Sequence, residues 1–222
     1  MLARIAMSEL LTIVLATSNQ GKLAELRALL ADLPIQFLAV GEVLGEPLSI
    51  VEDGATFEEN ALIKARAVCR ATRTLSLADD SGLEVDALAG RPGVRSARFA
   101  HERATDAENN AALLRELENV EEGALGARFR CVLALSNPWN EAEEYVAEGS
   151  CEGRIARAPR GSGGFGYDPL FLVAGQDGRA MAELSEEDKN RISHRALAVQ
   201  ALRKILIRLV NERLDEAERI AG

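Results

Sequence analysis

The 222 residues suffice for one large domain or two closely packed lobes, and a chain of this length buries roughly 70% of the surface its unfolded state exposes. Hydrophobic residues at 47% and charged residues at 27% exclude a disordered or fibrous chain. A formal net charge of −9, from 26 Lys and Arg against 35 Asp and Glu, works against binding polynucleotide phosphates, although a small anion can still be met by locally placed cations or by a metal held on carboxylates.

At the N-terminus, Arg4 ahead of the apolar run 10–16 has the outline of a secretory signal, but Glu9 interrupts it and a folded motif follows at once. Met7 offers an alternative start, and residues 1–11 are read as an N-terminal extension. Nothing approaches the ~20 consecutive apolar residues of a membrane span, so no membrane partner is expected. Cys69, Cys131 and Cys151 show no paired spacing, and His101 and His194 are the only histidines, which removes a disulfide framework and a zinc site and points to a reducing, cytoplasmic setting.

The run 12–17 (TIVLAT) reads as a strand, SNQGK as a loop, and LAELRALL as a helix with leucines at helical spacing. A second strand over 35–40 ends before a Gly- and Pro-bearing loop over 41–47. Thr56 with Glu59 has the spacing of a capping box ahead of a helix over 57–71, on which Asn60 and Lys64 share a more polar face. A brief strand over 74–78 runs into DDSG, whose composition signals a turn, before LEVDAL resumes an extended pattern. Thr105 with Glu108 caps a helix reaching Leu117. Strands over 128–135 and 144–155 are read as antiparallel neighbours joined near Asn137 and Pro138. GSGGFGYDP is a glycine-rich loop feeding a strand over 170–173. Ser185 with Asp188 caps one more helix, and an amphipathic helix over 196–209 ends the main domain, 12–209, leaving 210–222 as a charged helix end prone to fray. This is one α/β domain with a mixed central sheet flanked by helices, in two lobes around a cleft.

Four constellations carry chemistry. In TSNQGK, a strand hands over to a helix whose free N–H groups and positive dipole end suit phosphate oxygens, and Lys22 adds a full charge; a P-loop is absent because Leu23 follows the Gly-Lys pair. Glu52, Asp53, Asp79 and Asp80 supply carboxylates for a hard cation such as Mg²⁺. Consecutive extended residues point oppositely, so only one of Asp79 and Asp80 faces the cleft unless the turn begins between them, and Asp80, nearer the turn, is preferred. Gly161, Gly163 and Gly166 fit a dinucleotide fingerprint but precede a strand rather than a helix, which leaves a loop offering Phe165 and Tyr167 for stacking and Asp168 as an acceptor. Finally, in the Ser193-His194-Arg195 run, preceded by Lys189, His194 and Arg195 supply donors without acceptors if His194 is protonated, a pattern that favours a purine with oxygen at C6.

Taken in order, TSNQGK, VEDGATFEENALIKA, LADDSG, GSGGFGYDP, a lysine and SHR, the chain resembles the inosine triphosphate pyrophosphatase family, which hydrolyses non-standard purine nucleoside triphosphates. The resemblance covers about 12–209. It implies a homodimeric two-lobed α/β enzyme performing Mg²⁺-dependent hydrolysis of ITP, dITP and XTP to the monophosphate and pyrophosphate. It also implies that Thr17, Ser18, Asn19, Gln20, Gly21 and Lys22 hold the triphosphate, that Glu52 and Asp80 hold the metal, and that Asp80 activates water. Ser81 would touch the substrate, Phe165, Gly166, Tyr167 and Asp168 the base and sugar, and Lys189, His194 and Arg195 the base edge. Lys64 and Asp79 would support the phosphate and metal shell.

Overall fold

A computed structural model describes residues 10–46, 48–140 and 143–221; all but the last two residues of the expected N-terminal extension lie outside them. Strands β1 (Leu11–Leu15), β2 (Ile35–Ala39), β3 (Leu75–Val85), β4 (Gly126–Ser136), β5 (Glu144–Ile155) and β6 (Phe171–Val173) form one six-stranded sheet in the order β2-β1-β3-β4-β5-β6. β1 runs parallel to β2 and β3, whereas β3, β4, β5 and β6 are successively antiparallel, so the sheet is mixed.

The helices are α1 (Gln20–Leu29), α2 (Val40–Leu44), α3 (Phe57–Thr72), α4 (Asp106–Glu116), α5 (Glu186–Ile192) and α6 (His194–Ala221). Their starts follow the capping signals. Thr56 and Glu59 exchange hydrogen bonds at α3, Thr105 and Glu108 at α4, and Ser185 accepts from the Asp188 amide at α5.

Alternation on the strands sorts the core into two layers. Ile13, Leu15, Leu75 and Leu77 pack under α1 and α6 with Leu23, Leu26, Leu202 and Leu206. Val14, Ala16 and Ala78 face the other way, against Ala61, Ala65 and Val68 of α3. A third cluster, built from Leu83, Leu113, Phe129 and Phe171, fills the far end of the long β3–β4–β5 ribbon beneath α4. These clusters give the body and the outer lobe expected from the sequence.

Two local expectations are corrected. DDSG is no turn: it lies inside the eleven-residue strand β3, with Asp79 opposite Leu133 and Asp80 opposite Val132, because pairing along β4 overrides its turn-like composition. The loop over 41–47 instead begins with α2, closed by Gly45 in the left-handed region at φ 75°. The last helix runs from His194 to Ala221, starting two residues before the expected 196 and including the charged helix end.

Candidate active site

The site lies just beyond the C-terminal end of β1, where the chain turns into α1 while β3 runs on beside it. Open α/β sheets place ligands at the carboxyl ends of parallel strands for this reason. Asn19 is the N-cap of α1, its Oδ1 accepting the Lys22 amide at 3.1 Å; Ser18, Asn19 and Gln20 are exposed, and Gln20 lines neither cavity. Thr17 and Ser18 line the cleft with Lys22.

β3 carries the acidic centre, and its alternation splits two neighbouring carboxylates between opposite sheet faces. Asp79, fully buried, points to the α1/α6 side. There Lys22 Nζ reaches its Oδ1 at 2.6 Å, Arg195 Nε reaches its Oδ2 at 2.6 Å, and Ser81 Oγ donates to it at 2.9 Å. Burial alone would raise the Asp79 carboxyl, but Arg195 and then Lys22 hold it well below the usual carboxylate range. The Cys131 thiol, pushed well up by burial and by Asp79, donates to the same carboxylate at 3.3 Å.

Asp80 points to the α3 side. Lys64 Nζ lies 2.6 Å from its Oδ1 and 2.8 Å from Glu52 Oε2, so one ammonium spans both carboxylates. Burial pushes the Asp80 carboxyl up against the pull of Lys64; Lys64 itself is raised, since Asp80 and Glu52 together outweigh its desolvation. The polar face of α3 is therefore turned inward rather than solvated: Asn60, buried one turn before Lys64, accepts the Gly54 amide at 2.9 Å and donates to the Gly54 carbonyl at 3.3 Å. That clamp seats the Glu52 segment beside Lys64. Asp53 is exposed and stands apart from this cluster.

A second cavity adjoins the first through Asn19, Lys22, Ser81 and Ala97. Phe165, Gly166, Tyr167, Asp168, Lys189, His194 and Arg195 all border it. Lys189 Nζ and the Arg195 guanidinium lie 5.1 and 5.8 Å from the Phe165 ring centroid. Gly21 lets that ring approach α1, since a Cβ there would meet it at 2.6 Å. Tyr167 is a buried wall, its hydroxyl donating to the Ser96 carbonyl, so of the two aromatics only Phe165 stays available for stacking. Asp168 is already committed, accepting from Lys189 at 2.8 Å and from the Phe165 amide at 3.1 Å.

The donor-only reading of His194 was conditional on its protonation, and burial opposes that condition. Complete burial, followed by the charge of neighbouring Arg195, holds its imidazole well below 6.5, and the ring stacks on Phe129 at 4.8 Å. A neutral imidazole carries a donor and an acceptor, so the donor-rich character here belongs to Lys189 and Arg195.

Three contributors escaped the sequence reading. Glu25, one turn after Lys22 on α1, pairs with Lys189 at 2.6 Å and with Arg195, binding α1 to the second cavity; its spacing from Lys22 was the available signal. Asp106 and Asn110 hold the amide and carbonyl of Gly166 at 2.7 and 2.9 Å from the first turns of α4. No sequence pattern connects residues so far apart.

Among the described residues no group of three or more His, Cys, Asp or Glu side chains is gathered for a metal. Glu52 and Asp80, drawn together by Lys64 and bordering a cleft of about 490 Å³, do fit a hard cation, which takes one or two carboxylates and completes its shell with water and phosphate oxygens.

Residues 13–205 match the Ham1 family model. The chain is 51% identical over 197 residues to the dITP/XTP pyrophosphatase of Desulforamulus reducens, covering 89% of this chain and 96% of that protein. It is 47% identical over 193 residues to the dITP/XTP pyrophosphatase of Bacillus subtilis, covering 87% and 96%. Among solved structures, a HAM1 protein from Coxiella burnetii superimposes with a TM-score of 0.81 at 45% identity, covering 90% of this chain and 100% of that one. The nucleoside-triphosphatase, or dITP/XTP pyrophosphatase, of Mycobacterium abscessus gives 0.71 at 43% identity, covering 86% and 98%. With matched sequence, fold and site-bearing segments, this chain belongs to the Ham1 family.

Proposed function

We propose that this protein is a nucleoside triphosphate pyrophosphatase that hydrolyses the non-standard purine nucleotides ITP, dITP and XTP to the monophosphate and pyrophosphate, with Mg²⁺ as its metal. Relatives named dITP/XTP pyrophosphatase at 47–51% identity support the reaction. The observation that carries it is the single Lys64 ammonium spanning Glu52 and Asp80 in a cleft that Lys22 borders from α1.

The N-terminal amides of α1 and Lys22 face the triphosphate. Glu52 and Asp80 would hold Mg²⁺, which when bound would neutralise charge building on the phosphate oxygens. Asp80 takes the proton of the attacking water as the phosphoanhydride bond between the α- and β-phosphates breaks and pyrophosphate departs. Lys64 favours the ionised form of Asp80 against the burial that pushes its carboxyl up, so a carboxylate is present to take the proton. No side chain forms a covalent intermediate, so positioning and charge stabilisation carry the reaction.

The base enters the second cavity against Phe165. An oxygen at C6 accepts from the cationic Lys189–Arg195 wall, whereas an amino group sets donors against buried donors, and sites of this kind discriminate by up to about 10⁴-fold. Arg195 already gives three of its nitrogens to Asp79, Glu25 and Ser81, so it acts first by fixing the wall. The homodimer implied by the resemblance, and a cytoplasmic location consistent with the three buried free cysteines, belong to the same proposal; light scattering on the purified protein tests the dimer.

Incubation with Mg²⁺ and ITP, XTP, GTP or ATP tests this reading. Pyrophosphate with IMP or XMP, at rates far above those for ATP, is expected. Orthophosphate as product, or ATP cleaved as fast as ITP, would contradict it.

A further inference from the structure

Arg98 closes the 3₁₀ turn Gly93–Arg98, and its half-buried side chain lines the cleft that holds Lys22, Glu52, Lys64 and Asp80. One Nη donates to the Glu52 backbone carbonyl at 3.3 Å. Its Nε–H is buried and has no hydrogen-bond partner among the described residues. Its ion-pair neighbour Glu102 stands 3.9 Å from Nε, beyond hydrogen-bond reach, and its side chain is 70% exposed. A guanidinium with a dry, unused donor in a cleft built for polyanions is an unfinished contact.

Which phosphate completes it follows from the order of the two cavities. The base cavity contains Phe165, His194 and Lys189 but not Arg98. The wall shared by both cavities contains Asn19, Lys22, Ser81 and Ala97. Arg98 borders only the phosphate cleft, with Glu52 and Lys64. A nucleotide with its base against Phe165 therefore passes its α-phosphate by the shared wall and carries its outer phosphates towards Arg98.

Resting on the proposed nucleotide reading, we infer that Arg98 is a substrate-contacting residue that binds the leaving pyrophosphate portion of the triphosphate through its Nε edge. Nε–H and an adjacent Nη–H form the side-on pair that takes phosphate oxygens in two parallel bonds, a geometry an ammonium cannot reproduce. The hold on the Glu52 carbonyl keeps that edge registered with a metal-binding carboxylate.

The test is calorimetric titration of the wild type, Arg98→Lys and Arg98→Gln with pyrophosphate in Mg²⁺, and separately with IMP, after confirming each fold by circular dichroism. Both substitutions should weaken pyrophosphate binding about tenfold or more while leaving IMP within about twofold, as loss of a charge-assisted hydrogen bond implies. Glu102→Gln should leave both affinities unchanged. Equal weakening of the two ligands, unaltered pyrophosphate affinity in Arg98→Lys, no pyrophosphate binding by the wild type, or the same loss in Glu102→Gln would each overturn the inference. Failure of the wild type to release pyrophosphate from ITP would strike the nucleotide reading itself, a separate result.

Discussion

Arg195 and Asp79, separated by 116 positions in the chain, form a buried ion pair of 2.6 Å that ties the start of α6 to the middle of the sheet. Lys22 and Ser81 join the same carboxylate, so Asp79 is a structural hub for both cavities. Asp79→Ala strands two cations against a desolvated wall and should destabilise the fold by about 3–5 kcal/mol. Urea denaturation checks this; a loss below about 1 kcal/mol would show that the pair contributes little.

His194 gives a pH signature. Its folded value lies well below 6.5, so between that value and 6.5 the unfolded chain binds a proton that the native protein refuses. Its contribution to stability is therefore complete above pH 6.5 and is lost as pH falls. Between pH 7.5 and 5.5 the wild type should lose measurably more stability than His194→Phe. Parallel denaturation curves for the two proteins across this window would contradict the neutral assignment.

Gly21 separates stability from binding. Alanine is the better helix former by up to about 1 kcal/mol, yet its Cβ would meet the Phe165 ring at 2.6 Å. Gly21→Ala should keep or raise the melting temperature while raising KM for ITP several-fold, because the stacking ring must withdraw. An unchanged KM would show that Phe165 does not need its place against α1.

Asn60 is a positioning residue for Glu52. Asn60→Ala releases both polar groups of Gly54 and should cost about 1–3 kcal/mol of stability. It should also raise the Mg²⁺ concentration needed for half-maximal activity by about 10- to 100-fold, the usual effect of loosening the support of a ligand. A Mg²⁺ titration of activity reads this directly, and an unaltered midpoint would separate Gly54 from the metal-binding segment.

The local grammar of the sequence was legible wherever local physics decided the outcome. The capping pairs at Thr56, Thr105 and Ser185 located three helix starts, and the leucine spacing in 23–30 located the buried side of α1. It failed at DDSG, where turn composition lost to ladder pairing with β4, although the alternation argument survived: Asp79 and Asp80 do face opposite ways. Both still border the one cleft, because α1 and α3 bring a lysine to each face. Glu25, Asp106 and Asn110 were invisible for a different reason. Their partners lie on distant elements, and neither periodicity nor capping encodes such contacts.

In the proposed reaction Asp80 is the carboxylate that receives the proton from water. Asp80→Asn preserves shape and removes the charge, so kcat for ITP should fall by at least about 10³-fold while ITP still binds within about tenfold of wild type. Turnover by Asp80→Asn within tenfold of wild type, with pyrophosphate still released, would contradict it.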